Sequence, residues 1–217
     1  MLQKMVRWPV VLKALLVMLA MTVAAEAAPC RIAVLGDSLT AGYGLESGLG
    51  FPYQLQGRLE QEQVACEVLD AGVSGDTSSG GLARLDWVLA DQPTHLIVEL
   101  GANDALRAQP PAQLKLNLDA IVGQASEAGV HVLLAGMLAP PNLGPAYAAE
   151  FADAYEQVAA SHDIPLYPFF LDGVAGVREL NLHDGIHPTA EGIGVIVERM
   201  APAVLAWLKS TGNGPAS

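Results

Sequence analysis

Two cysteines, three tryptophans and eleven basic residues are all that 217 positions hold of those kinds, and two of these scarcities remove whole classes of protein. Cys30 and Cys66 are too few for a scaffold built on disulfides, and they lack the clustered spacing of a zinc site, so neither a metal nor another cofactor is expected. Eleven Lys and Arg stand against 23 Asp and Glu, a net charge of −12. A surface of that sign repels phosphate backbones and anionic headgroups, which excludes nucleic acid as a partner and favours a neutral or apolar small molecule. The uncharged run at 14–25 is short of the ~20 residues that span a bilayer.

That run does have another reading. Lys4, Arg7 and Lys13 precede it and the small-x-small pattern Ala25-Glu26-Ala27 follows, the order of a secretory signal peptide. Residues 1–27 are therefore expected to be removed on export to the periplasm or the medium, leaving no stable membrane anchor. Their removal makes the mature chain two charges more acidic, because three basic residues leave with one Glu. Each cysteine stands six residues before a glycine that closes an apolar run, Gly36 and Gly72. If those runs are neighbouring parallel strands the sulfurs can meet; one disulfide and two free thiols both stay open.

From residue 28 to 209 the chain reads as one domain, followed by a small polar tail, 210–217, expected to fray. Short apolar runs alternate with longer helical patterns. Strands are expected at 31–35, 66–69, 95–100, 130–134 and, with two prolines, 164–169. Helices are expected around Phe51, Leu55 and Leu59, at 77–89, along the stripe Leu114, Leu118, Ile121, Val122 and Ala125, and at 145–160 and 190–208. This alternation predicts an α/β fold: a three-layer α/β/α sandwich about a five-stranded parallel sheet, flavodoxin-like. The polar and glycine-rich segments 36–44, 72–81, 101–105 and 137–147 all leave strand ends, where open α/β sheets bind ligands.

Those segments carry the chemistry. Gly36-Asp37-Ser38 puts a hydroxyl just past a strand end, a position equally natural for a turn or cap serine. Asp184-Gly-Ile-His187-Pro188 places a carboxylate three residues before an imidazole, the pair that a serine needs in order to lose its proton. Read alone it is also an ordinary helix start beside a surface histidine. His183 lacks a comparable partner, and His95, His131 and His162 stand where structural roles are expected. The Gly75 N–H and the Asn103 carboxamide are candidate donors to an oxyanion, or a turn glycine and a capping side chain. Phosphate motifs fail: Gly81-Leu82 stands where a P-loop needs Lys-Ser or Lys-Thr, and Ser47 breaks Gly-x-Gly-x-x-Gly. Ser38 is not in Gly-x-Ser-x-Gly either, since Thr40 fills the last place.

Taken in order, Gly36-Asp-Ser-Leu39, Gly72-Val-Ser-Gly-Asp76, Gly101-Ala-Asn-Asp104 and Asp184-Gly-Ile-His-Pro188 resemble the four blocks of the SGNH, or GDSL, hydrolases. Ser74-Gly-Asp-Thr-Ser78, Gly80-Gly-Leu-Ala-Arg-Leu85, Val98-Glu-Leu-Gly101 and Phe169-Phe-Leu171 resemble their bacterial arylesterase and thioesterase/lysophospholipase group. The resemblance implies the SGNH hydrolase fold and a serine esterase acting on aryl or short-to-medium acyl esters, with acyl thioesters and lysophospholipids as further substrates. It implies Ser38 as nucleophile, His187 as base and then acid, and Asp184 as the group orienting His187. Gly75, Asn103 and the Ser38 N–H would form the oxyanion hole. Ala102 departs from the usual second glycine of the third block. Carbohydrate acetylesterases share the four blocks and are the alternative, a non-catalytic flavodoxin-like binding module a more distant one. The apolar loop 137–143 argues for an acyl or aryl wall, with Met137 and Leu138 binding substrate and 106–110 forming a movable rim.

Overall fold

A computed structural model describes residues 29–214, so the expected signal peptide lies outside the described residues. Four of the five expected strands form where apolar runs end in glycine or a small residue. They are β1 (Cys30–Gly36), β2 (Cys66–Gly72), β3 (His95–Glu99) and β4 (His131–Ala135). The fifth, β5, shrinks to Leu166–Tyr167. Pro165 and Pro168 bracket it, and a proline has no N–H to give a ladder. All pairings are parallel and the order is β2-β1-β3-β4-β5, the flavodoxin-like arrangement expected.

Eight α-helices connect or follow the strands among the described residues, with two short 3-10 turns at Pro141–Leu143 and Arg178–Leu180. In chain order the α-helices are α1 (Ser38–Ala41), α2 (Phe51–Gln61), α3 (Ser78–Ala83), α4 (Leu85–Ala90), α5 (Ala102–Leu106), α6 (Pro111–Glu127), α7 (Pro145–His162) and α8 (Ala190–Ser210). Helix α2 packs against α8 on one face, while α6 packs against α3 and α7 on the other. The expected stripe of α6 is fully buried, and β3 is covered along its whole length. A strand covered on both faces is apolar along its middle, as Leu96, Ile97 and Val98 are, with the buried polar residues His95 and Glu99 at its two ends.

Two expectations need correction. The single helix at 77–89 is two short ones, broken at Arg84. Gly80 and Gly81 weaken the first turn, and the Arg84 side chain is drawn away to Asp76 and to the Gly36 carbonyl, at 2.6 and 2.9 Å. Helix α8 also runs one residue into the expected tail, through Ser210, and residues 215–217 of that tail lie outside the described residues. The Thr211 hydroxyl lies 2.8 Å from Nε2 of the buried His95. His95 is a core residue there, flanked by Thr94, His131 and Trp207, and desolvation lowers its pKa to about 4.

The register pairs Cys30 with Cys66, and the two sulfurs are bonded. This resolves the open choice in favour of the disulfide. It ties the starts of β1 and β2, at the opposite end of those strands from Gly36 and Gly72.

Candidate active site

Ser38 is the first residue of α1, the short helix that turns the chain off β1. Asp37 caps that helix: its Oδ1 accepts the Leu39 N–H at 2.9 Å. At the far end of the chain, Asn181 bridges to Pro188 and the Leu182 N–H donates to the His187 carbonyl at 2.7 Å, closing a loop. Thr189 then caps α8 by accepting the Gly192 N–H. The closed loop presents His187 to Ser38, with Nε2 2.9 Å from the serine Oγ.

On its other side the imidazole Nδ1 meets Asp184 Oδ2 at 2.7 Å. Asp184 Oδ1 accepts the backbone N–H groups of Ile186 and His187 at 2.9 and 3.0 Å. The backbone N–H of His187, then its side chain and the Ile186 N–H, hold the Asp184 carboxyl down to about 2. It is therefore a carboxylate at neutral pH. An ionised acceptor at Nδ1 selects the tautomer whose Nε2 is unprotonated and faces Ser38.

Asn103 sits in the first turn of α5, and its carboxamide donates one hydrogen to Asp37 Oδ2 at 3.0 Å. The second hydrogen is left for a ligand. Asp104 anchors that helix: it accepts the backbone N–H and the hydroxyl of Ser78, which in turn accepts from Asn117 at 2.8 Å. Gly101 precedes it at φ +119°, a conformation side chains rarely adopt, with the Tyr155 hydroxyl where a Cβ would stand. Ala102 lies inside the helix, where a second glycine is not needed.

Ser38, Asn103 and His187 open onto one cavity of about 230 Å³ with an apolar wall that includes Leu106, Met137, Leu138 and Leu171. Met137 is buried and Leu138 half exposed at its mouth. Met137 and Leu138, expected to bind substrate, thus line the cavity, as does Leu106 from the segment expected to form a rim. Gly75 does not line this cavity. Its loop is fixed from two sides instead: Arg107 Nη2 donates to the Gly75 carbonyl at 2.8 Å, and Arg84 holds Asp76. Gly75 adopts φ +87°, which only glycine takes without strain.

Several residues of the site were not anticipated from sequence. Glu99, at the end of β3, is fully buried beneath α1. Its Oε2 accepts the Thr40 hydroxyl at 2.8 Å and, more weakly, the Asp37 N–H at 3.4 Å. Oε1 is the one buried side-chain oxygen without a partner among the described residues. Burial, then the neighbouring Asp37, pushes the Glu99 carboxyl well above the usual range, and burial raises Asp37 to about 6. The signal was a lone acid inside the apolar run of β3. Arg84 lies in the segment Gly80–Leu85 that carries the family resemblance, without a role assigned there, whereas Arg107 and Tyr43, whose ring lies 4.5 Å from that of His187, left no local pattern to read.

Residues 34–193 match the GDSL-like Lipase/Acylhydrolase family. The chain belongs to that family. This GDSL hydrolase is 43% identical over 180 residues to a Pseudomonas aeruginosa protein named Esterase TesA, a match covering 82% of this chain and 90% of that one. It is 37% identical over 176 residues to Thioesterase 1/protease 1/lysophospholipase L1 of Escherichia coli K12, covering 81% and 83% of the two. The solved structure of a psychrotrophic esterase EstA from Pseudoalteromonas sp., inhibited by monoethylphosphonate, matches with a TM-score of 0.79 and 36% identity, covering 82% of this chain and 98% of that one. The GDSL hydrolase described here is accordingly a carboxylic ester hydrolase.

Proposed function

We propose that the chain hydrolyses aryl and short-to-medium acyl esters through an acyl-enzyme on Ser38. The observation that carries this is the unbroken relay Ser38–His187–Asp184 at the mouth of an apolar cavity. His187 Nε2 takes the serine proton as Oγ bonds to the carbonyl carbon. Negative charge then gathers on the carbonyl oxygen, where the free Asn103 N–H and the backbone N–H of Ser38 serve as donors, joined by the Gly75 N–H from the neighbouring loop that Arg107 holds. The proton passes from Nε2 to the departing oxygen, the old ester bond breaks, and water repeats the sequence on the acyl-enzyme.

The walls favour this reading over a carbohydrate acetylesterase, since Leu106, Met137, Leu138 and Leu171 offer little to a sugar and much to an acyl chain. Acyl thioesters and lysophospholipids present the same carbonyl and belong to the proposed range. The Cys30–Cys66 disulfide favours an oxidising compartment. With the basic, apolar and small-residue order of positions 1–27, it supports export to the periplasm or the medium.

The deciding test is hydrolysis of nitrophenyl esters from acetate to decanoate by the chain and by Ser38→Ala, with a phosphonate ester as covalent probe. The chain should cleave them and take up one phosphonyl group at Ser38, and the variant should do neither. Equal turnover by Ser38→Ala, or labelling elsewhere, would remove Ser38 from the mechanism.

A further inference from the structure

Tyr43 is just over half exposed, yet its ring lies 4.5 Å from that of His187 at an interplanar angle of 38°. Its placement is built, not accidental. The Tyr43 N–H donates to the Ser38 carbonyl at 3.0 Å, and Gly42 before it takes φ +70° to end α1. Gly44 after it takes φ +77°, and a Cβ there would have to push aside the end of the Leu182 side chain. The ring is thus held against the loop that carries the imidazole, with one side on His187 and the rest in solvent.

Tyr43 does not line the cavity, whose apolar wall comes mostly from segments after β3, β4 and β5, with Leu106, Met137, Leu138 and Leu171, and is completed by Leu39 and Ile186. An ester at Ser38 has two arms, and the apolar cavity suits the acyl arm. The other arm begins at the oxygen that receives the proton from His187 Nε2, so its first atoms must lie beside the imidazole ring. The exposed aromatic surface beside that ring is Tyr43. Val73, also exposed, follows β2 on the same side, tied to β1 by its N–H to the Gly36 carbonyl.

We propose that Tyr43 forms a leaving-group subsite that takes planar aryl alcohols by stacking, and that it sets the preference for aryl over alkyl esters. The assignment rests on acyl transfer through Ser38 and His187 as proposed above. In the step it favours, Ser38 Oγ bonds to the carbonyl carbon, the bond to the aryl oxygen breaks, and the His187 proton passes to that oxygen to release a phenol. A flat ring meets the tyrosine face as an offset aromatic pair. A saturated ring of the same size cannot. Once the alcohol has left, the acyl-enzyme is the same for both, so the effect belongs to kcat/KM and not to deacylation.

The test compares phenyl butyrate with cyclohexyl butyrate, which share an acyl group and differ in planarity. The readout is the ratio of their kcat/KM values in the chain and in Tyr43→Leu and Tyr43→Phe. Tyr43→Leu should lower the phenyl-to-cyclohexyl ratio about threefold to tenfold, the size of one aromatic pair, and Tyr43→Phe should keep it. An unchanged or raised ratio in Tyr43→Leu would overturn the subsite: a residue that only supports His187 does not lower it, because the cyclohexanol oxygen needs the imidazole's proton at least as much as the phenol oxygen does. A chain that cleaves neither ester would instead overturn the esterase reading itself.

Discussion

The Thr40 hydroxyl donates to Glu99 Oε2 at 2.8 Å, under the same turn of helix that carries Ser38. Glu99 also faces the Asp37 N–H, and Asp37 in turn holds the Asn103 carboxamide at 3.0 Å. Nucleophile and oxyanion donor therefore share one buried support. Thr40→Val keeps the shape of the side chain and removes the hydroxyl, leaving Glu99 almost without partners. The expected loss is about 1–3 kcal/mol of folding stability, the usual cost of an unsatisfied buried polar group. A urea unfolding curve measures it, and an unchanged midpoint would show that Glu99 does not need the bond.

Asp37 also predicts an unusual dependence of stability on pH. Burial raises its folded pKa to about 6 from 3.8, and Glu99 is raised in the same direction. The folded state then holds protons that the unfolded state has already lost. Stability from Asp37 is complete below the unfolded pKa and falls as pH rises from about 4 through 6, and Glu99 adds a loss of the same sign as pH rises. Asp184, with its lowered pKa, works the other way, but only as pH falls from about 4 toward 2. Asp37→Asn removes the titration, so the difference in unfolding midpoint between this variant and the parent should change across pH 4 to 6. A constant difference would mean that Asp37 is charged at both ends.

Asn103→Ala removes the free carboxamide hydrogen that faces the cavity and leaves the relay of Ser38, His187 and Asp184 intact. Loss of one oxyanion donor lowers turnover by roughly 10²–10³. The loss should fall on kcat rather than KM, since charge on the carbonyl oxygen develops only after binding. Steady-state kinetics on a nitrophenyl ester separate the two. A variant that changes KM alone would make Asn103 a binding group.

The disulfide stands at the other end of β1 and β2 from the site, so its effects should separate from catalysis. It closes a sequence separation of 36 residues, worth roughly 3–4 kcal/mol in the chain-entropy account. Replacing both cysteines with alanine should lower the thermal midpoint while the folded variant keeps its kcat at 25 °C. Loss of kcat in a folded variant would couple the sheet's two ends.

What could be read in the sequence follows a physical line. Strands β1, β3 and β4 were legible because a buried parallel strand needs a nearly continuous apolar run, and the edge strand β2, part exposed with Glu67 and Asp70, was legible from its apolar residues and the closing Gly72. The candidate residues Ser38, Asn103, His187 and Met137 were legible because each belongs to a segment whose composition breaks from its neighbours. Strand β5 was overread, since its apolar residues promise more pairing than Pro165 and Pro168 permit. Glu99 with Asp37, Arg107 with Gly75 and Tyr43 with His187 went unseen for another reason. Each pair lies 32 to 144 positions apart in sequence, and no local pattern records such a meeting.

Met137 tests whether the cavity takes the acyl chain. Its side chain is 3% exposed and part of the apolar wall, whereas Leu138 beside it is half open to solvent. Each methylene moved from water into such a wall contributes about 0.8 kcal/mol, close to a fourfold gain in kcat/KM. The parent should therefore gain steeply from acetate upward until the cavity is filled. Met137→Gln keeps the length of the side chain and puts a carboxamide into the wall, where an acyl chain would have to strip it of water. The slope across the series should flatten, with hexanoate losing on the order of tenfold relative to acetate. Parallel slopes in parent and variant would place the chain elsewhere and leave Met137 as packing for the sheet alone.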